Sequence, residues 1–171
     1  AFIGAGAVGI NIEDGALAPE VLCRKIEAAR NAGERAGVKL YVNARTDVYL
    51  HQLATGEAAV AETIRRGKLY REAGASGLFV PGPTDSAIFS AVIGEVALPL
   101  NVMGRKGVPK LAELKKLGVR RLSAATALGR AAYSYAQKAA ADFLASGDCD
   151  ALAATAVGPG ADYNKLFEGT P

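Results

Sequence analysis

Apolar positions along this chain switch between a strand-like and a helix-like period, and the switch repeats five times. Four stretches share one grammar: a glycine that ends a helical pattern, one to three small or polar residues, then a short apolar run. They are Gly6-Ala-Val-Gly-Ile-Asn-Ile-Glu13, Gly37-Val-Lys-Leu-Tyr-Val-Asn43, Gly74-Ala-Ser-Gly-Leu-Phe-Val80 and Gly118-Val-Arg-Arg-Leu-Ser123. A fifth run, Val96-Ala-Leu-Pro-Leu-Asn-Val-Met103, lacks the glycine but has the same strand character. Between them the spacing becomes helical. Pro19 sits near the first turn of a pattern carrying Leu22, Ile26 and Ala29, and Val60, Ile64, Gly67 and Tyr70 mark the next. A third pattern follows Pro83-Thr-Asp85, and a fourth starts near Pro109 with Leu111, Leu114 and Leu117. The last stripe, Leu128, Ala132, Tyr135, Ala139 and Phe143, ends at Gly147.

Strands that alternate with helices through short links predict right-handed βαβ crossovers and a parallel sheet covered by helices. Residues 1–147 are therefore expected to form one α/β domain. Residues 148–171 are expected to form a short Ala-rich helix and a tail, whose Tyr163, Leu166 and Phe167 would pin it onto a neighbour. Five units do not close a (β/α)8 barrel, which takes eight units and about 250 residues. A doubly wound dinucleotide-binding sheet is the competitor, because Gly4-Ala-Gly-Ala-Val-Gly9 satisfies G-x-G-x-x-G. That fingerprint must follow a strand and open a helix, whereas Gly9 is followed by Ile-Asn-Ile-Glu, which alternates like a strand.

Composition narrows the class. With 171 residues, half of them hydrophobic, the chain can bury one core. The net charge is only +3. Arg65, Arg66, Lys68, Lys115, Lys116, Arg120 and Arg121 fall on predicted helices or strand starts without interleaved aromatics, and read as solvated faces. With no Trp to stack bases, a nucleic-acid partner is not expected. Cys23 and Cys149 show no metal or redox spacing. No apolar run approaches the roughly 20 residues that span a bilayer, so no membrane partner is expected and a cytoplasmic location is. The start at Ala1-Phe-Ile, without Met and at the lip of a strand, suggests a preceding segment.

Candidate chemistry gathers where the strands stop, the end of a parallel sheet at which ligands bind. Glu13 and Asp14, Asn43, Arg45 and Asp47, Pro81, Asn101 and Ser123 all fall there. Arg45 is placed to hold a carboxylate or phosphate, and equally to pair with Asp47 or Glu13. Glu13 is a candidate ligand for a hard cation such as Mg2+, which takes oxygen donors, or the partner of Arg45. Asn101 is a candidate for orienting a substrate oxygen, or a turn former. Ser123 lacks a nearby base, and one histidine, His51, cannot readily build a Ser-His-Asp triad or a His-rich zinc site.

The order and spacing of Ile-Asn-Ile-Glu-Asp-Gly15, Val-Asn-Ala-Arg-Thr-Asp47, Ala-Gly-Ala-Ser-Gly-Leu-Phe-Val-Pro81, Pro-Leu-Asn-Val-Met103 and Leu-Gly-Val-Arg-Arg-Leu-Ser123 resemble the isocitrate lyase and phosphoenolpyruvate mutase superfamily. Within it, the chain looks most like the carboxyvinyl-carboxyphosphonate phosphorylmutase-like branch. The resemblance runs from Gly6 to about Ala145 and implies strands four to eight of a (β/α)8 TIM-type barrel, with a C-terminal helix. It implies an Mg2+-dependent lyase that cleaves a carbon–carbon bond of a small 2-hydroxy or α-keto carboxylic acid through an enolate. Arg45 would hold the substrate carboxylate, Asn101 and Asn43 would contact substrate, and Glu13, with Asp14 a weaker candidate, would hold the metal. A homo-oligomer, dimer or tetramer, built by exchange of the last helix is also implied. Three departures stand out. The family's Asp-x-Asp metal pair is absent, the Lys-Lys-Cys-Gly-His loop is replaced by Gly15-Ala-Leu-Ala before Pro19, and Val80 and Pro81 stand where the lyases carry Glu and the mutases His. A degenerate barrel fragment or assembly module, and a phosphonopyruvate-type phosphomutase, are the alternatives.

Overall fold

The computed structural model describes residues 1–155. Five strands, β1 (Gly9–Glu13), β2 (Tyr41–Arg45), β3 (Gly77–Val80), β4 (Leu100–Met103) and β5 (Arg121–Ser123), form one sheet in the order β1-β2-β3-β4-β5, with every pair parallel. Four helices connect them: α1 (Pro19–Arg35), α2 (Gly56–Glu72), α3 (Ser86–Val96) and α4 (Leu111–Leu117). Taking strands strictly in sequence with right-handed crossovers puts all the helices on one face, and α1 packs beside α2, α2 beside α3, α3 beside α4. A doubly wound sheet would reverse its strand order at a switch point. Here there is no reversal, so these are consecutive units of barrel type, as expected.

The side-chain alternation of the strands divides the sheet into two faces of different chemistry. Val42 and Ala44, Leu78 and Val80, and Leu100 and Val102 point to the helices and are buried. Leu22 and Ile26 of α1, Tyr70 of α2, Phe89, Val92 and Val96 of α3, and Leu114 of α4 close over them. Each fully buried side chain of this size contributes about 1.5–3 kcal/mol, so this layer holds the unit together. The opposite face carries Asn11, Tyr41, Asn43, Arg45, Asn101 and Arg121, and is polar. Gly77 in β3 has no Cβ because the Tyr41 phenol and the Asn43 amide lie over it.

Two strand boundaries move from expectation. Val96 ends α3 instead of opening a strand, because Ala97 adopts a left-handed conformation (φ 55°) that breaks the helix, and β4 begins only at Leu100, after Pro99. Gly6 caps a short 3-10 helix (Ile3–Ala5) at φ 90°, so β1 starts at Gly9. Gly9 thus opens a strand, and the glycine-rich stretch before it is no dinucleotide loop. The chain divides into two compact units, Ala1–Ala125 and a second beginning at Thr126. The second contains α5 (Ala127–Ser146) and α6 (Cys149–Ala154), the latter capped by Asp148, whose carboxylate accepts from the Ala151 amide at 2.9 Å. Tyr163, Leu166 and Phe167 lie outside the described residues. Among the described residues, no helix is long and apolar enough to cross a membrane.

Candidate functional site

Register brings the predicted residues together. Glu13 pairs with Arg45, Arg45 with Phe79, and Phe79 with Asn101, so one row runs from the carboxyl ends of β1 and β2 to Asn101, which is the second residue of β4 and not at its end as expected. One step below it, Asn11 pairs with Asn43 and Asn43 with Gly77. These side chains share the polar face because each is separated from the next inward residue of its strand by one outward apolar residue.

Arg45 lies between two carboxylates. Its Nε donates to Asp47 Oδ1 at 2.6 Å, an Nη2 hydrogen goes to Asp47 Oδ2 at 3.2 Å, and Nη1 lies 2.9 Å from Glu13 Oε2. The guanidinium carbon sits 5.8 Å from the centre of the Phe79 ring. Both partners left open by the sequence are therefore engaged at once. A guanidinium has five N–H donors, and these contacts occupy three, so two remain for a ligand. The three side chains carry a formal charge of −1, since one guanidinium faces two carboxylates. Asp47 is nearly buried, at 2% exposed, whereas Glu13 is 52% exposed.

The two asparagines are buried and incompletely satisfied. Asn43 Nδ2 donates to Asn11 Oδ1 at 2.9 Å, but its own Oδ1 has no partner. Neither Asn101 Nδ2 nor Asn101 Oδ1 has a partner. A buried amide left unpaired costs on the order of 1–3 kcal/mol, a reason to look for what pairs it. Asn43 and Asn101 border a concavity of 460 Å³ on the polar face, with Asn11, Tyr41 and Arg121.

Asp14 points the other way. Its carboxylate is buried on the helix side, where Oδ1 accepts from the Asp47 amide at 2.8 Å. Its Oδ2 accepts from Arg66 Nη1 at 2.9 Å and from the Tyr70 hydroxyl at 2.5 Å. Asp14 is therefore no metal ligand on the polar face. Arg66, expected on a solvated face, is buried instead, and also donates to the Leu17 carbonyl at 3.1 Å and to Glu62 at 2.7 Å. Burial pulls the Arg66 pKa down, but hydrogen bonds to Glu62 and Asp14 more than offset it, and the net shift is upward. Burial pushes the Tyr70 phenol well above its usual range, and the bond to Asp14 adds to this. The signal for Arg66 was present at helical spacing: the buried residues of α2 are Ala59, Thr63, Arg66, Gly67 and Tyr70, which keep Gly67 and Tyr70 of the stripe read in the sequence but replace Val60 and Ile64 by Ala59 and Thr63.

The remaining candidates are peripheral. Ser123 Oγ donates to the Val102 carbonyl at 3.3 Å, and no base adjoins it. His51 is half-exposed, 3.8 Å from Asp47. Burial raises the Cys23 thiol, with Glu20 and Glu27 adding, which disfavours the reactive thiolate. Val80 and Pro81 are buried and offer no acid or base. Among the described residues, no three His, Cys, Asp or Glu side chains converge on a metal position. Glu13 still fits a loosely held hard cation, because one of its oxygens lies outside the Arg45 pair and Mg2+ often takes one or two carboxylates while keeping several waters.

Comparison with known proteins shows the family and the fold. The family model described as phosphoenolpyruvate phosphomutase matches residues 1–144. An uncharacterized protein of Mycobacterium tuberculosis (strain H37Rv) is 32% identical over 142 residues, 78% of this chain and 52% of that protein. The chain thus spans about half the length of the curated relatives it matches. The crystal structure of a provisionally named lyase/mutase from Burkholderia cenocepacia J2315 superposes with a TM-score of 0.82 at 35% identity, covering 99% of this chain and 62% of that one. A 2,3-dimethylmalate lyase, a member of the PEP mutase/isocitrate lyase superfamily, shares the fold with a TM-score of 0.73 at 24% identity, over 95% of this chain and 61% of that one.

Proposed function

The chain belongs to the phosphoenolpyruvate phosphomutase family, within the PEP mutase/isocitrate lyase superfamily of enzymes, and from that premise we propose that it carries the anion-binding rim of a lyase. The substrate class is a small 2-hydroxy or α-keto carboxylic acid, and the reaction is carbon–carbon cleavage through an enolate. The observation that supports this reading most is Arg45, fixed at the strand ends by two carboxylates with two N–H donors still free.

Each residue has a role in this reading. Asp47 holds the guanidinium in one plane, so the free N–H groups present a fixed fork to a substrate carboxylate. Asn101, in the same row and with both amide groups unpaired, orients a substrate oxygen, and Asn43 supports it from below. Glu13 would hold Mg2+ through its free oxygen. When bound, the ion stabilises the oxygen charge that develops as the enolate leaves, more than it stabilises the ground state. With a formal −1 over Arg45, Glu13 and Asp47, an anion would need a cation beside it at this rim.

Calorimetric titration with oxalate, which mimics a pyruvate enolate, tests the reading with and without Mg2+. The expected result is binding that depends on Mg2+ and weakens about 10- to 100-fold in Arg45→Ala, the loss of a charge-assisted contact of about 1.5–3 kcal/mol. Unchanged affinity in a folded Arg45→Ala variant, or no binding by the folded wild-type chain, rejects it and favours a non-catalytic barrel module.

A further inference from the structure

We infer that Asp14 and Arg66 are positioning residues that set the geometry of Arg45 from behind the sheet. The inference rests on the reading of Arg45 as the anion anchor. Asp14 grips β2 on both sides of Thr46: its backbone N–H donates to the Arg45 carbonyl at 3.2 Å, and its carboxylate accepts from the Asp47 amide at 2.8 Å. Asp47 in turn holds two of the N–H groups of Arg45. Any rotation of Asp14 therefore moves both the backbone that carries the guanidinium and the carboxylate that orients it.

Arg66 keeps Asp14 in place and reaches further. Its Nη1 contacts both Asp14 Oδ2 and the Leu17 carbonyl, so one nitrogen of α2 holds the loop after β1, and Asp14 carries that hold to the loop after β2 through the Asp47 amide. Those are the loops that follow Glu13 and Arg45. Nε of Arg66 is fixed by Glu62, which Arg65 also holds, and the Tyr70 hydroxyl closes the carboxylate's remaining side. Two features separate this cluster from an ordinary tie between helix and sheet. It converges on the residues flanking Arg45 and not on the strand centres, where apolar contacts already hold α2. A buried ion pair also adds little stability over an apolar pair of the same volume, so what it supplies here is a defined position.

The test compares wild type with Arg66→Met, the conservative Arg66→Lys, and the double variant Asp14→Asn/Arg66→Met, which leaves no uncompensated buried charge should the single variant fail to fold. Oxalate affinity with Mg2+ and amide hydrogen exchange are measured where circular dichroism shows each variant folded. The expected result is at least a tenfold loss of oxalate affinity in Arg66→Met or the double variant, largely restored by Lys. Exchange at Asp47 should be at least tenfold faster, while Val42 and Val102 keep wild-type protection. Oxalate affinity within twofold of wild type, or exchange that accelerates equally along β2 and β4, overturns the inference. If wild type binds no oxalate, the anion reading fails, and exchange alone decides: selective opening at Asp47 supports the positioning role, and unchanged protection there rejects it.

Discussion

Gly67→Ala is a single-methyl test of how α2 meets the sheet. A Cβ at Gly67 would lie 2.9 Å from both γ-methyls of Val96 and 3.0 Å from a δ-methyl of Leu78. Both neighbours are about 1% exposed, and rotating Val96 about χ1 gives no relief, because both of its methyls are equally close. Overpacking of this kind costs about 1–3 kcal/mol, while replacing a mid-helix glycine by alanine returns about 1 kcal/mol of helix propensity. With three simultaneous contacts in a closed core, the net effect is a destabilisation of about 1–2 kcal/mol. At about 2–4 °C per kcal/mol for a chain of this size, Tm falls by roughly 2–8 °C. Gly94 in α3 is the control, since nothing lies within 4 Å of its Cβ position, and Gly94→Ala should stabilise by about 0.5–1 kcal/mol. Urea titration of both variants reads the difference directly. Gly67→Ala as stable as wild type, or more so, would refute the argument that α2 seats against α3 and β3 through this glycine. The seating matters for the site because Arg66 is the adjacent residue, and its reach to Asp14 depends on that close approach.

Two further outcomes follow from the electrostatics. Glu62 is held down from 4.5 to about 2 by hydrogen bonds from Arg65, opposed by burial and helped by Arg66. A depressed carboxylate stabilises the fold above its unfolded pKa and loses that contribution as pH falls through 4.5 towards 2; the ceiling is about 3 kcal/mol before solvent screening and on the order of 1 kcal/mol after it. Urea midpoints should drop between pH 6 and pH 3 by less in Glu62→Gln than in wild type, and equal drops would contradict the assignment. Glu13→Gln changes the formal charge at the rim from −1 to 0, so oxalate should bind more tightly without Mg2+ and gain less from it, and calorimetry showing the wild-type Mg2+ dependence intact would remove Glu13 from the site.

The repeated glycine, then apolar run made the parallel sheet legible, because a helix stop and a buried strand are both local properties. Glu13 and Arg45 could be placed at their strand ends for the same reason, since each ends an apolar run; Asn101, expected at the same rim, is the second residue of β4 and joins their row only through the register. What local pattern did not carry was the helix-side network. Asp14 and Arg66 are 52 positions apart, and although alternation turns the residue after Glu13 away from the polar face, nothing in either segment says that the two side chains meet. Arg66 was obscured because Arg65, Arg66 and Lys68 look like one charged surface, yet only Arg66 falls on the stripe of Thr63 and Tyr70. The end of α3 was obscured by propensity: Val96 and Leu98 suit a strand, but Val96 is needed against α2, and the chain turns at Ala97 to allow both.

On the proposed reading, the ion pairs of Arg45 prepare it for an anion and do not compete with one. A lone guanidinium on a half-exposed rim would sample many rotamers, and each ligand contact would have to overcome that side-chain entropy. Paired with the nearly buried Asp47, whose amide is itself held by Asp14, Arg45 has already lost that freedom in the folded chain. The loss is offset by folding and not by binding. The same pairing lowers the local positive field, since two carboxylates outweigh one guanidinium, and on the proposed reading this would discriminate against free anions: a carboxylate arriving without a cation would meet net negative charge, while one arriving with a divalent ion would meet Glu13 for the ion and the remaining N–H groups for itself. Fixed geometry and the proposed conditional affinity would thus come from the same three side chains.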